Sequence, residues 1–498
     1  MTDDFSENSR GILEERIAKL ARIRAAGLNP YPHYYELTHR IPELVLDKQE
    51  NVQVRVAGRI TSVRKMGKAT FLDILDRQKK IQVYFKEGVA SNYLQLDFLD
   101  IGDFIGVEGG TFITRTGEYS IRAAGFDVLC KSLRPSMNKD YGVSDPEQRY
   151  SDRTLDLLAN SGVQDTFLKR ARAITAMRHY LDMEGFVEVE IPLIQPVYGG
   201  ASAAPFLTRV NSLDRDYFLS ISPEIYLKRL IAGGMDAVYT ITKNFRNEGI
   251  DSSHNPEFTS MECYRAYNDY NDMMRLTENM LASIAQAVNG STQVQYGELV
   301  LNFEPPWERM PMAYSIERFG KIDFDGSPDS TLRELLSETT SVNLGTGDMQ
   351  TRKSIIDSMT RGDMMLALFE HYAEPHLDGP VFITDHPIES TPLCKPHRTK
   401  PGLIERFEAY IGGMELANAY TELNDPHLQR RLFEEQLARE GPNNQYLRTD
   451  EAFMRALEYG MPPTGGLGIG VDRLVMLLAN QRSIKEVILF PMTRAEIK

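Results

Sequence analysis

Two short stretches, Asn244-Phe245-Arg246-Asn247-Glu248-Gly249 and His254-Asn255-Pro256-Glu257-Phe258-Thr259, decide how this chain folds, and the second continues into Met261-Glu262-Cys263-Tyr264. A polar loop at 250–253 joins them, a pattern that predicts two paired strands. Because side chains alternate between the faces of a strand, Arg246 and Glu248 should share one face, and Glu262 and Tyr264 should share one face of the returning strand. The pattern predicts a pocket that combines a cation, acceptors and an aromatic ring.

Outward from this hairpin, residues 151–498 mix helices with further hairpins. Apolar residues at helical spacing predict a helix at Thr166–Glu184, which stops at Gly185 before a strand at Val187–Ile191. Further strands are predicted at Tyr217–Ile221, Ala237–Asn244, Thr259–Ala266, Arg406–Ile411, Glu415–Leu423 and Gly466–Gly470. This mixture favours an α+β domain around an antiparallel-rich sheet. The helical pattern near 330–374 indicates an insertion in that domain.

The first third of the chain has a different pattern. Residues 1–50 form a helical extension with one amphipathic helix, Gly11–Ala26, and residues 134–150 are polar and predicted to be a linker. Between them, residues 51–133 predict five short strands at Val52–Ile60, Ala69–Leu75, Lys80–Phe85, Phe104–Phe112 and Tyr119–Val128. A longer connection after the third strand is typical of an oligonucleotide-binding (OB-fold) barrel.

Charge is distributed unevenly along the 498 residues. The net charge is −14, yet residues 51–80 hold eight lysines and arginines against two aspartates, a local balance of +6. Cations interleaved with Phe71, Tyr84 and Phe85 match the needs of single-stranded RNA recognition, which uses cations for phosphates and rings for unstacked bases. We therefore expect the barrel to bind RNA, with a solvated charged face as the alternative.

The sequence also predicts where the protein works. Its longest apolar runs, such as Leu474–Ala479, fall far short of the roughly 18 to 20 residues that a bilayer span needs. The first ten residues are acidic and polar, unlike a secretory signal. Three widely spaced cysteines without a CxxC pair indicate free thiols. We expect a cytoplasmic protein without membrane association.

The stretch from Phe245 to Phe258 resembles motif 2 of the class II aminoacyl-tRNA synthetases. In that family the motif 2 arginine contacts the α-phosphate of ATP, so the resemblance implies this catalytic role for Arg246. It also implies nucleotide contacts from Glu248, His254 and Asn255, and stacking of Phe258 on adenine. A guanidinium is a planar, permanently charged fork for phosphate, and a ring offers a face for a base.

Two further segments resemble the other motifs of this family. The predicted helix and strand ending at Phe186–Pro192 are similar to motif 1, which forms the dimer interface, so a homodimer is implied. Gly465–Arg473 is similar to motif 3, a strand entering a helix, in which glycines let the backbone approach the nucleotide closely. The resemblance makes Arg473 the second ATP arginine.

The pair Glu408 and Glu415 corresponds to the magnesium ligands of the family. A hairpin turning at Gly412-Gly413 would set residue 410 opposite residue 415 and make the two glutamates diagonal neighbours. Hard carboxylate oxygens suit Mg²⁺, which takes only one or two of them when it is bound to ATP. ATP as a substrate and Mg²⁺ as a cofactor are therefore expected.

The lysyl members of the family bind the amino acid at positions that correspond to Gly200, Glu224, Glu262, Tyr264, Asn418, Tyr420 and Glu422. Glutamates in a pocket are costly unless they are paired, and the ammonium group of lysine supplies a partner. Strict alternation puts Glu415 out of phase with Glu422, so a β-bulge is predicted between them if both face the pocket. Cys394 stands where the family more often has alanine.

The barrel resembles the anticodon-binding domain of lysyl-tRNA synthetases. The resemblance lies in Arg64-Lys65-Met66-Gly67-Lys68-Ala69-Thr70-Phe71 and in Ile81-Gln82-Val83-Tyr84. It implies that four residues contact the uridine-rich anticodon of tRNA(Lys): Arg64, Phe71, Gln82 and Glu118.

These features predict an ATP-dependent, homodimeric lysyl member of the class II family that charges tRNA(Lys) with L-lysine. Three alternatives stay open. A class II synthetase for aspartate or asparagine has the same architecture, and a lysine ligase acting on a protein generally lacks the N-terminal barrel. A non-catalytic RNA-binding relative should have lost Arg246, Glu415 or Arg473, and all three are present.

Overall fold

The computed structural model describes residues 7–134, 144–160, 162–201, 203–345, 348–440 and 448–493. The chain divides into two compact units, one spanning Met1–Ser144 with Thr154–Asn160 and the other Asp145–Arg153 with Ser161–Lys498. Most of the predicted linker, residues 135–143, lies outside the described residues.

A closed barrel forms most of the first unit. In chain order the elements up to the end of the barrel are α1 (Glu7–Ala25), α2 (Ile41–Asp47), β1 (Gln53–Met66), β2 (Ala69–Asp76), β3 (Lys79–Lys86), a 3₁₀ helix (Tyr93–Phe98), β4 (Phe104–Ile113) and β5 (Tyr119–Cys130). The strands close in the order β1-β2-β3-β5-β4, and apolar side chains such as Val56, Ile74 and Val83 fill the interior. The predicted five-stranded barrel is confirmed.

Strand β1 extends six residues past its predicted end at Ile60. Residues Ser62 to Met66 are of mixed polarity, with two basic residues in succession, but they pair with residues 69–73 of β2. Backbone pairing does not require apolar side chains when the outer face of the strand is solvated. A register shift between Ile60 and Ser62 marks a bulge at the point where the strand becomes polar.

Two helices, α3 (Pro146–Ser151) and α4 (Arg153–Ala159), precede the main part of the second unit. The remaining helices are α5 (Val163–Met183), α6 (Glu224–Ala232), α7 (Tyr270–Asn289), α8 (Met312–Gly320), α9 (Asp329–Glu338), α10 (Met349–Ser358), α11 (Arg361–Tyr372), α12 (Pro426–Glu440), α13 (Glu451–Tyr459), α14 (Val471–Leu478) and α15 (Ile484–Val487). The strands are β6 (Val187–Glu188), β7 (Ile194–Gln195), β8 (Leu207–Val210), β9 (Arg215–Leu219), β10 (Ala237–Phe245), β11 (Glu257–Ala266), β12 (Gln293–Tyr296), β13 (Leu299–Asn302), β14 (Glu308–Pro311), β15 (Val381–Pro387), β16 (Leu403–Ile411), β17 (Met414–Thr421) and β18 (Thr464–Gly470).

None of the described helices combines the length and apolar character needed to cross a membrane.

Eight of the strands in the described part of the chain form one sheet in the order β14-β15-β16-β17-β18-β11-β10-β6. Neighbours are antiparallel except at the two edges, where β14–β15 and β10–β6 are parallel. The predicted α+β class with an antiparallel-rich sheet is confirmed. One face of the sheet packs on α5, α7 and α14 through a large apolar core, which leaves the other face for polar side chains.

Two local predictions differ from the structure. The strand predicted at Val187–Ile191 is assigned only over β6, and Pro192 beyond it has no N–H to donate to a neighbouring strand. The strand predicted at Tyr217–Ile221 corresponds to β9, which lies outside the eight-stranded sheet in a separate sheet ordered β7-β9-β8. The helices α9 to α11 fall in the predicted insertion and share a second apolar cluster with α8 and with residues of β14, β15 and β16.

Candidate active site

Strand alternation builds the floor of a cavity in the second unit. On β11 the side chains of Met261 and Cys263 lie in the apolar core, so Glu262 and Tyr264 point to the opposite face. Alternation on β16, β17 and β18 does the same, and the strand register aligns the cavity-facing residues in two rows. The rows are Glu408–Asn418–Gly468–Glu262 and Arg406–Tyr420–Gly466–Tyr264.

The cavity above this floor has a volume of about 670 Å³. The structure brings all fifteen residues predicted for nucleotide, metal and lysine binding to its walls: Gly200, Glu224, Arg246, Glu248, His254, Asn255, Phe258, Glu262, Tyr264, Glu408, Glu415, Asn418, Tyr420, Glu422 and Arg473. Their individual roles stay predictions.

A β-bulge lies where the sequence requires one. Ala409 pairs with Ala417 and Tyr410 pairs with Glu415, so Leu416 has no partner on β16. The extra residue turns Leu416 into the apolar core and lets Glu415 face the cavity together with Asn418, Tyr420 and Glu422.

Three glutamates converge at one end of the cavity, which we call the acidic end (Glu224, Glu262 and Glu422). The Glu262 carboxylate accepts hydrogen bonds from Ser222 Oγ at 3.0 Å and from the Tyr264 hydroxyl at 3.1 Å. Glu224 and Glu422 both pair with Lys228, whose Nζ lies 2.5 Å from Glu224 Oε1. Neither oxygen of the buried Glu422 receives a well-directed hydrogen bond from a described residue.

The acidic end is short of positive charge. Burial raises the pKa of Glu262 to about 8, and the charge of Glu224 adds to the effect. Burial also raises the pKa of Glu224 and of Glu422 above the usual range, although Lys228 opposes both shifts. A cation entering the cavity would favour the ionised carboxylates and lower these pKa values.

Glycine makes room for this acidic end. A Cβ on Gly466 would lie 1.9 Å from Glu422 Oε1 and 2.5 Å from Tyr264 Cε1. Gly200 has a φ of +87°, and a Cβ there would lie 2.9 Å from Ser222 Oγ. The expectation that the motif 3 glycines serve the nucleotide needs correction at Gly466, because the space above that residue belongs to the acidic end.

Arg246 and Arg473 stand in the remaining part of the cavity. The guanidinium of Arg246 lies 5.1 Å from the ring centroid of Phe258, and its buried Nε has no hydrogen-bond partner among the described residues. Arg473 donates from Nη1 to the backbone oxygen of Glu415 at 2.7 Å, and its Nη2 lies 3.5 Å from His254 Nε2. A buried donor without a partner suits an anion such as phosphate.

The other residues predicted to contact the nucleotide differ in their exposure and in the hydrogen bonds that they already make. Glu248 and His254 are exposed at the cavity edge, where His254 Nδ1 lies 2.8 Å from an Asp251 oxygen. Asn255 is buried, donates to the backbone oxygen of Glu257 at 2.6 Å and accepts from the backbone N–H of Met492 at 3.3 Å. Its amide therefore holds the hairpin in place.

Glu408 and Glu415 lie close enough for their charges to interact. Burial and the charge of Glu408 raise the pKa of Glu415, and burial together with Glu370, Glu408 and Glu415 raises the pKa of Glu374 to about 7. Among the described residues, no three histidine, cysteine or acidic side chains are grouped to hold a metal alone. The pair therefore fits a Mg²⁺ that takes its other ligands from phosphate and water.

The four predicted anticodon residues lie on the outside of the barrel in the first unit. Arg64 is opposite Phe71, and Phe71 is opposite Tyr84, with 5.1 Å between the two ring centroids. Ser120 Oγ donates to Gln82 Oε1 at 3.2 Å and lies 3.3 Å from the backbone oxygen of Glu118. The structure thus brings the four residues to one polar and aromatic face.

Some residues of the cavity were not predicted from the sequence. Arg406 pairs with Glu408 and donates from Nε to Asn418 Oδ1 at 3.1 Å. Its position two residues before Glu408, on the same strand face, is the signal that could have identified it. Ser222 lines the cavity and Lys228 lies behind it, four residues after Glu224, but their contacts with Glu262 and Glu422 join separate parts of the chain and gave no comparable signal.

Comparisons with known proteins agree with this geometry. Residues 145–494 match the family described as tRNA synthetases class II (D, K and N), and residues 54–129 match the OB-fold nucleic acid binding domain. A lysine–tRNA ligase of Clostridium botulinum (strain Loch Maree / Type A3) is 45% identical over 98% of this chain and 97% of its own length. The lysine–tRNA ligase of Clostridium tetani is 46% identical over 96% of this chain and 95% of its own length. The chain belongs to the lysine–tRNA ligase family of the class II tRNA synthetases.

Proposed function

We propose that this chain activates L-lysine with ATP and transfers it to tRNA(Lys). The observation that carries the proposal is the convergence of Glu224, Glu262 and Glu422 at one end of a cavity that also contains Arg246 and Arg473. Relatives named lysine–tRNA ligases, at about 45% identity over nearly the whole chain, support the same activity.

The first step joins two anions. The lysine carboxylate attacks the α-phosphorus of ATP, the bond to the β-phosphate oxygen breaks, and lysyl-adenylate and pyrophosphate form. Arg246 would neutralise charge on the α-phosphate through a guanidinium that lacks a partner at Nε, and Phe258 would support the adenine. The catalytic contribution is positioning and charge neutralisation, without a covalent nucleophile from the chain.

The second step transfers the lysyl group. A 2′- or 3′-hydroxyl of the terminal adenosine of the tRNA attacks the acyl carbon and AMP leaves.

Two further sets of residues would serve the ATP of the first step. Glu408 and Glu415 would hold a Mg²⁺ that neutralises the phosphates of ATP. Arg473 lies beside Glu415 and would contact the γ-phosphate side of the nucleotide.

The amino acid is selected by the sign of the charge at the acidic end. Three converging glutamates, two of them buried, favour an ammonium group at the end of the substrate side chain, whereas the side chain of aspartate would add a fourth carboxylate. Gly200, Asn418 and Tyr420 complete the proposed lysine site.

The outer face of the barrel is proposed to read the anticodon through Arg64, Phe71, Gln82 and Glu118. The presence of a barrel supports tRNA rather than a protein as the acceptor of lysine. We place the enzyme in the cytoplasm, consistent with three unpaired cysteines.

We also propose a homodimer. Exposed apolar side chains at the end of α5 and in the strands that follow, among them Met183, Val187 and Ile194, support this assembly. Sedimentation equilibrium should give twice the chain mass of 56.5 kDa.

Pyrophosphate exchange into ATP tests the proposed activity directly. Exchange should depend on lysine and should not occur with aspartate or asparagine as the only amino acid. Exchange with aspartate but not with lysine would contradict the proposal. Charging of tRNA(Lys), compared with the same tRNA carrying a changed anticodon, then tests the RNA substrate.

A further inference from the structure

Lys228 is a fully buried cation that does not line the cavity. It lies one helical turn after Glu224 on α6, and its Nζ lies 3.5 Å from the backbone oxygen of Leu393. A buried lysine is rare unless it is paired, and this one is paired twice, with Glu224 and with Glu422. Because it stands behind the two carboxylates, it cannot contact a substrate in the cavity.

The charge of the acidic end follows from this position. When all three glutamates are ionised, as a bound cation favours, they carry three negative charges, and Lys228 supplies one positive charge, which leaves two negative charges. L-Lysine carries two ammonium groups at neutral pH, and its carboxylate is the group that reacts with ATP. The charge of the acidic end therefore equals the charge of the two ammonium groups, with opposite sign.

We propose that Lys228 is a positioning residue and a built-in counter-ion, which holds Glu224 and Glu422 apart and ionised so that the acidic end accepts a substrate with two ammonium groups. The proposal rests on the proposed lysine activity. Without Lys228, two neighbouring buried carboxylates would lose the cation that is paired with both of them, and the cheapest response is uptake of a proton by one of them. A protonated carboxyl group attracts an ammonium group less strongly.

The groups around Lys228 support this assignment. Those that face the ion pairs from the neighbouring elements are Glu262, Tyr264, Cys394, Arg406 and Tyr420. Burial raises the pKa of Tyr264, Tyr420 and Cys394, so these three stay neutral in an ordinary assay. Arg406 is engaged with Glu408 and Asn418. Lys228 is therefore the cation that balances Glu224 and Glu422.

Lys228→Met tests the proposal, since it removes the charge and keeps the length of the side chain. Pyrophosphate exchange should show a lysine KM at least tenfold higher, an unchanged ATP KM, and a lysine kcat/KM profile displaced to higher pH. Arg229→Met is the matched control, because Arg229 is the next residue, stacks on Tyr226 and lies outside the cavity. It should leave both KM values and the profile unchanged.

A wild-type lysine KM and pH profile in Lys228→Met would overturn the proposal. If this variant does not fold, Lys228→Met/Glu224→Gln removes one charge of each sign and should recover thermal stability. A double variant no more stable than the single one would also overturn it. Failure of the proposed activity looks different, because the unmodified enzyme itself would then show no lysine-dependent exchange.

Discussion

The cavity of the second unit and the outer face of the barrel are both rich in charge, but they hold it differently. At the acidic end of the cavity, Glu224 and Glu422 are buried and paired with the buried Lys228 behind them. On the barrel, the side chains of Arg64 and Lys80 are more than half exposed and share the single Asp73. Buried charge must be paired in fixed geometry, whereas exposed charge is solvated and movable. The cavity is therefore prepared for one small molecule, and the barrel face can follow a flexible strand.

Arg246→Ala should give the largest effect and tests the cavity half of the comparison. Loss of a fixed cation at the reacting phosphate should lower the rate of lysine-dependent pyrophosphate exchange about a thousandfold. Arg265→Ala is a fair control, because Arg265 lies on the same hairpin and stacks on Phe186 at 4.1 Å, away from the cavity. Equal exchange rates for the two variants would contradict the proposed role of Arg246 at the α-phosphate.

Gly466→Ala tests whether the acidic end is as tightly built as the distances indicate. The new Cβ would collide with Glu422 and Tyr264, so the lysine KM should rise roughly ten- to a hundredfold. Gly468→Ala provides the comparison on the same strand, since its Cβ would lie 3.5 Å from Glu262 Cγ, an ordinary contact. If Gly468→Ala were the more damaging variant, the steric explanation would be wrong.

Phe71→Ala tests the barrel half. Loss of one stacked base, worth about 1–3 kcal/mol, should raise the tRNA KM in the charging reaction about tenfold. Pyrophosphate exchange by the same preparation serves as the control and should not change, because that reaction does not use tRNA. A loss of exchange activity would contradict the division of labour between the two regions.

The pH dependence should give the smallest effect and belongs to the cavity alone. Since the pKa of Glu262 in the free enzyme is about 8, most of this carboxyl is protonated at pH 7 and most is ionised at pH 9. The kcat/KM for lysine should therefore rise about fivefold between pH 7 and pH 8. In Glu262→Gln this rise should be smaller, because only the raised pKa values of Glu224 and Glu422 then contribute to it. A flat profile for the unmodified enzyme would remove Glu262 from the acidic end.

The sequence predicts the parts of the site that depend on local periodicity. Strand alternation places Glu262 beside Tyr264 and reveals that Glu415 and Glu422 are out of phase, so even the bulge follows from counting residues. The barrel follows in the same way from five short strands. These are features in which neighbours along the chain are also neighbours in space.

What escapes the sequence depends on contacts between distant segments. The pairing of Lys228 with Glu422 joins α6 to the end of β17, and no spacing rule connects two residues so far apart. The hydrogen bond from the backbone N–H of Met492 to the Asn255 side chain could not be predicted for the same reason, because the two residues are far apart in the sequence. A resemblance to a family likewise predicts which residues line a site, but it does not predict which of their atoms already make hydrogen bonds within the chain.

The unpaired Leu416 divides β17 into two parts, with Glu415 before it and Asn418 and Tyr420 after it. Deleting Leu416 would turn the side chain of Glu415 into the apolar core and leave the residues after Leu416 in their register. Variants that change the amino acid accepted by the enzyme can therefore alter the positions after the bulge and leave Glu415, the proposed metal ligand before it, untouched.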